Sequence, residues 1–165
     1  MTQTLILDTN VYLTEATSLL SFGSANIAVP SIVLDEIDKH KHRQDTAGHN
    51  ARHTNRLLDS LRSKGSLSVG VSLGEGKGNV FVAHYDPRYM PVGMDILDSD
   101  NKIIATALKL KLEGQEVKVY SRDINMRVKC DSFGLECEDY QPQRVIQSVD
   151  KLFDGMQTME TTAAV

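Results

Sequence analysis

Two short runs near the N-terminus, Gln3-Thr-Leu-Ile-Leu7 and Ala25-Asn-Ile-Ala-Val-Pro30, restrict the fold more than any other part of the chain. Both are apolar with β character, and the second stops at a proline, which cannot continue a ladder. They suit strands buried in an interior. Between them, Val11, Leu13, Ala16, Leu19 and Leu20 place apolar side chains at helical spacing over Asn10 to Leu20. A helix or helical turns there would be the crossover that a parallel strand pair requires.

The remaining chain repeats that rhythm. Ser31 is a candidate cap for a helix over Ile32 to Lys41 with Val33, Leu34 and Ile37 facing inward. From Ala47 a second helix runs to about Lys64 and stops at Gly65. Leu67-Ser-Val-Gly-Val-Ser-Leu73 alternates strictly and Val80-Phe-Val-Ala follows the loop "GEGKGN", so a β-hairpin inserted at mid-chain is expected. That loop is a turn and no phosphate cradle, because Lys77 precedes Gly78 where a phosphate-binding loop needs Ser or Thr. Ser99 can cap a helix striped by Ile103, Ile104, Ala107, Leu108 and Leu112 and ended by Gly114. Val117 to Ser121 reads as a strand, Ile124 to Phe133 as a helix, and Leu135 to Asp139 as a last short strand. Strands alternating with helices in this way build an α/β sandwich on a mostly parallel sheet.

At 165 residues, 41% hydrophobic and 24% charged, the chain has the composition of one globular domain. Residues 1–142 are expected to form it, with a C-terminal helix over 143–154 and a flexible tail over 155–165. No apolar run approaches the roughly 20 residues of a membrane helix, and the N-terminus lacks a signal-peptide pattern. The expected location is cytoplasmic, away from the membrane. Cys130 and Cys137 form no Cys-x-x-Cys pair and read as packing residues. A net charge of -4 argues against coating nucleic acid by bulk electrostatics, so a polyanionic partner would need a local basic patch, a metal, or both.

In an open parallel sheet, ligands bind outside the carboxyl ends of the strands. Asp8 closes the first strand, Glu36 lies in the helix after the second, Asp100 is in the first turn of the helix from Ser99, and Asp123 follows the strand ending at Ser121. Taken singly, each is a solvated acid or a helix cap. Together they come from four segments onto one rim, where like charges repel or take up protons unless a cation is bound. An all-oxygen donor set favours Mg²⁺ or Mn²⁺ over zinc.

The stretches "LILDTNVYL", "VPSIVLDEIDKHK", "GHNARHTNRLLDSL", "SDNKIIATAL" and "VYSRDINMRVKCDSFGLECEDY" resemble, in order and spacing, the PIN domain, most closely the one at the N-terminus of PhoH-type ATPases. The likeness spans about Thr4 to Tyr140. It implies a Rossmann-like three-layer sandwich and a Mg²⁺- or Mn²⁺-dependent endoribonuclease acting on single-stranded RNA. By that resemblance Asp8, Glu36, Asp100 and Asp123 are the acidic quartet and Thr9, Asn10 and Asn125 supporting residues; Asp8, Asp100 and Asp123 are expected to hold one or two ions, with Glu36 either binding metal or orienting the attacking water. The partners it implies are an ATPase domain, an antitoxin, or further copies of the chain in a homo-oligomer.

Phosphate contacts would come from Lys39, Lys41, Arg43, Arg52, Arg56, Arg122 and Arg127, although a mixed-charge helix can equally face water alone. His49 and His53 stand four apart and His40 and His42 flank Lys41, without a third ligand at zinc spacing. Asp98, two residues before Asp100, is the acid most easily confused with a site member. Competing readings are a non-catalytic PIN module that holds RNA or an ATPase, the toxin of a toxin-antitoxin pair, and a response-regulator domain. The first has no physical need of four repelling acids. The last would need a Lys-bearing strand after Asp123, and none follows.

Overall fold

The computed structural model describes residues 2–142. The expected C-terminal helix and tail lie outside the described residues. Strands β1 (Gln3–Leu7), β2 (Asn26–Pro30), β3 (Val71–Ser72), β4 (Asn79–Ala83), β5 (Glu116–Tyr120) and β6 (Glu136–Glu138) form one sheet in the order β3-β4-β2-β1-β5-β6. Every pairing is parallel except β3 with β4. Leu5, Ile6 and Leu7 of β1 and Ile27, Ala28 and Val29 of β2 are all buried, so both faces of these strands are covered and helices must lie on each side. The chain is an α/β sandwich of the expected class.

Helices α1 (Thr9–Thr14), α2 (Ser31–His40) and α3 (Thr46–Arg62) pack on one another, while α4 (Ser99–Leu112) packs on β5 and α5 (Ile124–Ser132) on β6. No helix among the described residues is long and apolar enough to cross a membrane. Gly114 and Gly134 end α4 and α5 at φ values of 96° and 74°, which a side chain would strain. Cys130 is buried in the core and Cys137 half-buried, both as free thiols, which agrees with a packing role.

The expected crossover after β1 takes the form of helical turns: α1 stops at Thr14, because Glu15 is extended, and the chain resumes as a 3-10 turn over Ser18–Leu20. Other local expectations need correction. Ser31 and Ser99 are first helical residues and do not cap: Pro30 precedes α2 with no side-chain cap, and Asp98 caps α4 through the Asn101 N–H at 3.1 Å. Of the alternating stretch Leu67 to Leu73 only Val71–Ser72 is strand, since Ser66 to Gly70 closes on itself through Gly70 N–H to the Ser66 carbonyl at 2.8 Å. The antiparallel pair is present, but its second strand also lies parallel to β2, so β4 is part of the main sheet.

The chain steps outward from β1 to β2 and β4, then returns through α4 to lay β5 on the other side of β1. The reversal falls between β1 and β5. Their carboxyl ends therefore flank the crevice where a doubly wound sheet takes its ligand.

Candidate active site

Asp8 continues the β1/β5 ladder by one residue, its N–H donating to the Tyr120 carbonyl at 2.9 Å, and the chain then enters α1. The residue is only 5% exposed. Oδ1 accepts the Thr9 N–H at 2.8 Å, and Oδ2 accepts the Ser121 hydroxyl at 2.7 Å and the Asn10 amide at 3.5 Å. Ser121 Oγ in turn accepts the Asp123 N–H at 3.0 Å, and Asn10 Oδ1 accepts the Arg122 N–H at 3.1 Å. The polar triplet after β1 thus sews the end of that strand to the loop after β5. Thr9 has a second task, donating its hydroxyl to Glu36 Oε1 at 2.7 Å across 27 residues.

The other acids reach the same rim from their own helices. Glu36 is on α2, Asp100 is half-buried in the first turn of α4, and Asp123 caps α5 by accepting the Asn125 N–H at 2.9 Å. Asn125 takes part through its backbone, and the residue is exposed.

Electrostatics tie the four together. Burial pushes the Asp8 carboxyl up to about 6 from 3.8, with Asp100 and Glu36 adding to the rise and the bonds from Ser121 and Thr9 opposing it. Burial also raises Asp100, reinforced by Asp98, Asp123 and Glu36 and opposed by Lys129. Asp100 feels Asp98, Asp123 and Glu36, and Asp98, like Asp8 and Asp123, accepts a backbone N–H at the start of its helix. Even so, among the described residues no three acidic, His or Cys side chains lie tightly enough to hold a metal ion as they stand. The carboxylates share a field without meeting at a point. That shortage of positive charge around oxygen donors is what a hard divalent cation would fit.

The cations proposed from sequence are largely engaged elsewhere. Lys41 pairs with Asp38 at 2.8 Å, Arg43 with Asp45, and Arg127 bonds the Ser121 carbonyl at 2.9 Å and Asp139 at 3.4 Å. Arg52 donates to the carbonyls of Lys41 and Arg43 at 2.7 and 2.8 Å, strapping the α2–α3 corner. Arg122 reaches the Thr14 hydroxyl at 2.9 Å. Lys39 and Arg56 are exposed and have no ion-pair partner among the described residues. His40 faces Arg43 at 3.0 Å, and the rings of His49 and His53 are 6.3 Å apart edge to face, so neither pair is set for zinc.

Two residues near the rim escape a reading of the sequence. Ser121 could have been found, because it closes β5 as Asp8 closes β1. Lys129 could not, since its helix reveals its partner only after packing.

The PIN domain profile matches residues 5–141. The chain belongs to the PIN domain family. Curated relatives named Protein PhoH2 come from Thermobispora bispora, 35% identical over 98% of this chain, and Bacillus subtilis, 34% identical over 94%. A third, from Mycolicibacterium smegmatis, is 32% identical over 88%. This PIN domain spans only about a third of the length of those relatives, 36%, 36% and 34% respectively. Among solved structures, a domain of a functionally unknown protein from Methanocaldococcus jannaschii shares the fold, with a TM-score of 0.54 at 17% identity over 84% of this chain and 91% of that one. PIN domains are a nuclease-type family.

Proposed function

We propose that this PIN domain is a Mg²⁺- or Mn²⁺-dependent endoribonuclease that hydrolyses phosphodiester bonds in single-stranded RNA. The observation that carries the reading is Asp8: a residue 5% exposed, its carboxylate fixed by neighbours on both sides and pushed up to about 6 by burial and by acids from other segments. Burial and neighbouring acids both disfavour the ionised form of this group, and a bound cation would relieve that cost.

Asp8, Asp100 and Asp123 are the residues that would hold the ion. When bound, the cation neutralises charge building on the phosphate oxygens and makes water a better nucleophile. Ser121 and Thr9 keep Asp8 ionised and aimed. Glu36, with one oxygen held by Thr9, offers the other to the attacking water and takes its proton. Asn10 holds the loop that presents Asp123.

The test is incubation of labelled single-stranded RNA with Mn²⁺, with Mg²⁺ or with EDTA, beside an Asp100→Asn control. Internal cleavage that needs the metal and Asp100 is expected. Cleavage that survives EDTA or Asp100→Asn would sink the proposal. The resemblance to PhoH-type proteins makes an ATPase domain, in the same chain or beside it, the partner class to assay next.

A further inference from the structure

Lys129 is the cation that acts most on Asp100, and nothing in the proposed chemistry yet uses it. It stands one turn after Asn125 on α5, with its ammonium turned toward the start of α4. Nζ donates to Asn101 Oδ1 at 3.1 Å and lies 3.9 Å from Asp98 Oδ1.

The residue that receives it is unusually well fixed. Asn101 is 4% exposed, its Nδ2 donates to the Asp95 carbonyl at 3.0 Å, and its backbone N–H donates to Asp98. Asn101 is therefore a rigid acceptor that aims the ammonium. An ammonium has three N–H donors, and Asn101 takes one of them. The Asp98 oxygen is beyond hydrogen-bond range, and the Lys129 side chain is 35% exposed, so donors remain turned to solvent beside Asp100.

A strap between α4 and α5 would need only a neutral donor. A lysine adds a positive charge where acids otherwise repel the polyanion they are to act on.

We propose that Lys129 is the phosphate-holding cation of the site, gripping a phosphodiester oxygen of the RNA strand beside Asp100 and Asp123. This rests on the ribonuclease reading of the rim. It assigns the nearest phosphate contact to α5 and away from the cations of α2 and α3.

The experiment compares wild type, Lys129→Met, Lys129→Arg and Asp100→Asn by steady-state cleavage of a single-stranded RNA across a salt series. Mn²⁺ binding to the RNA-free proteins and thermal melting are measured in parallel. Lys129→Met should raise KM by about tenfold or more with a smaller change in kcat. It should also flatten the salt dependence by about 0.7 in the log-log slope, the share of one phosphate on a single strand. Lys129→Arg should recover most of both. Mn²⁺ should bind Lys129→Met at least as tightly as wild type, because a competing positive charge is gone.

An unchanged KM and slope in Lys129→Met overturns the inference. So does a defect that arginine fails to rescue and that comes with weaker Mn²⁺ binding and a lower melting temperature, the signature of a strap. If wild type shows no Mn²⁺-dependent cleavage, or Asp100→Asn binds Mn²⁺ as wild type does, the ribonuclease reading fails and takes this one with it.

Discussion

In the corner between α2 and α3, basic side chains are answered by their neighbours: Lys41 by Asp38, Arg43 by Asp45, Arg52 by two backbone carbonyls. At the carboxyl rim the reverse holds. Burial raises the affinity of Asp8 and Asp100 for protons, Asp100 and Glu36 add to the rise at Asp8, Asp98, Asp123 and Glu36 add to it at Asp100, and Lys129 offsets the latter only in part. The first region is electrostatically at rest and half in water, where such pairs contribute little. The second holds charge that folding alone does not neutralise. A run of lysines and arginines is conspicuous in a sequence, yet the uncompensated region is the better guide to where a ligand is needed.

The contrast is most exposed at the acids themselves. Asp8→Asn and Asp100→Asn should each cut metal-dependent RNA cleavage by at least about 100-fold, more than is typical for a residue that only supports a ligand. Arg43→Gln should stay within about fivefold of wild type. An Arg43→Gln loss as deep as that of Asp100→Asn would erase the distinction between the two regions.

Stability against pH gives the next largest effect. Below pH 3.8 Asp8 is protonated whether the chain is folded or not, and its burial costs nothing extra. As pH rises toward 6 the unfolded chain ionises freely while the folded one resists, so this group's contribution to stability falls by up to ~3 kcal/mol by neutrality. Urea melts of metal-free protein at pH 5 and pH 7.5 should therefore differ less for Asp8→Asn than for wild type. Saturating Mn²⁺ should restore the wild type at pH 7.5. A wild type that gains stability over Asp8→Asn between those pH values, without metal, would reverse the sign and refute the account of Asp8.

Ser121→Ala removes the hydrogen bond that does most to hold the Asp8 carboxyl down, so the group should protonate at still higher pH. Mn²⁺ affinity near pH 6.5 should drop about tenfold, with the deficit shrinking by pH 8. Calorimetric titration at both pH values checks it, and a deficit independent of pH would mean the hydroxyl acts by geometry alone.

The smallest effects separate two neighbouring arginines on α3. Arg52→Gln should cost ~1 kcal/mol of stability through its two carbonyl bonds and leave the salt dependence of RNA binding unchanged. Arg56→Gln should leave stability unchanged and flatten the slope by less than the ~0.7 expected for Lys129→Met, because Arg56 is exposed and at most a peripheral phosphate contact. Equal behaviour of the two would show that the corner is less self-neutralised than its contacts imply.

The buried strands were readable because Leu5 to Leu7 and Ile27 to Val29 contain no residue that prefers water, and both segments have the same end, Leu7 and Pro30, in sequence and structure. The four acids were readable through their positions after strands or at helix starts, which needs only the coarse rhythm of the chain. Caps were not: Ser99 and Asp98 are both good capping residues one position apart, and the choice depends on where Asn101 points its N–H, a consequence of tertiary placement. The alternation from Leu67 to Leu73 predicted a strand that Ser66 and Gly70 break locally by closing a turn. Lys129 was invisible for a different reason. Its meaning depends on which face of α5 turns to α4, and α5 shows no strong apolar stripe to fix that, with Ile124 and Val128 both exposed.

The bond from the Asp8 N–H to the Tyr120 carbonyl joins residues separated by most of the described chain. In synthesis Asp8 precedes Ser121 and Asp123 by more than a hundred residues. Until β5 docks beside β1, the newborn polypeptide has the acids but not their rim. Parallel pairing across so long a loop is slow to nucleate, so the rim is among the last parts of the domain to come together.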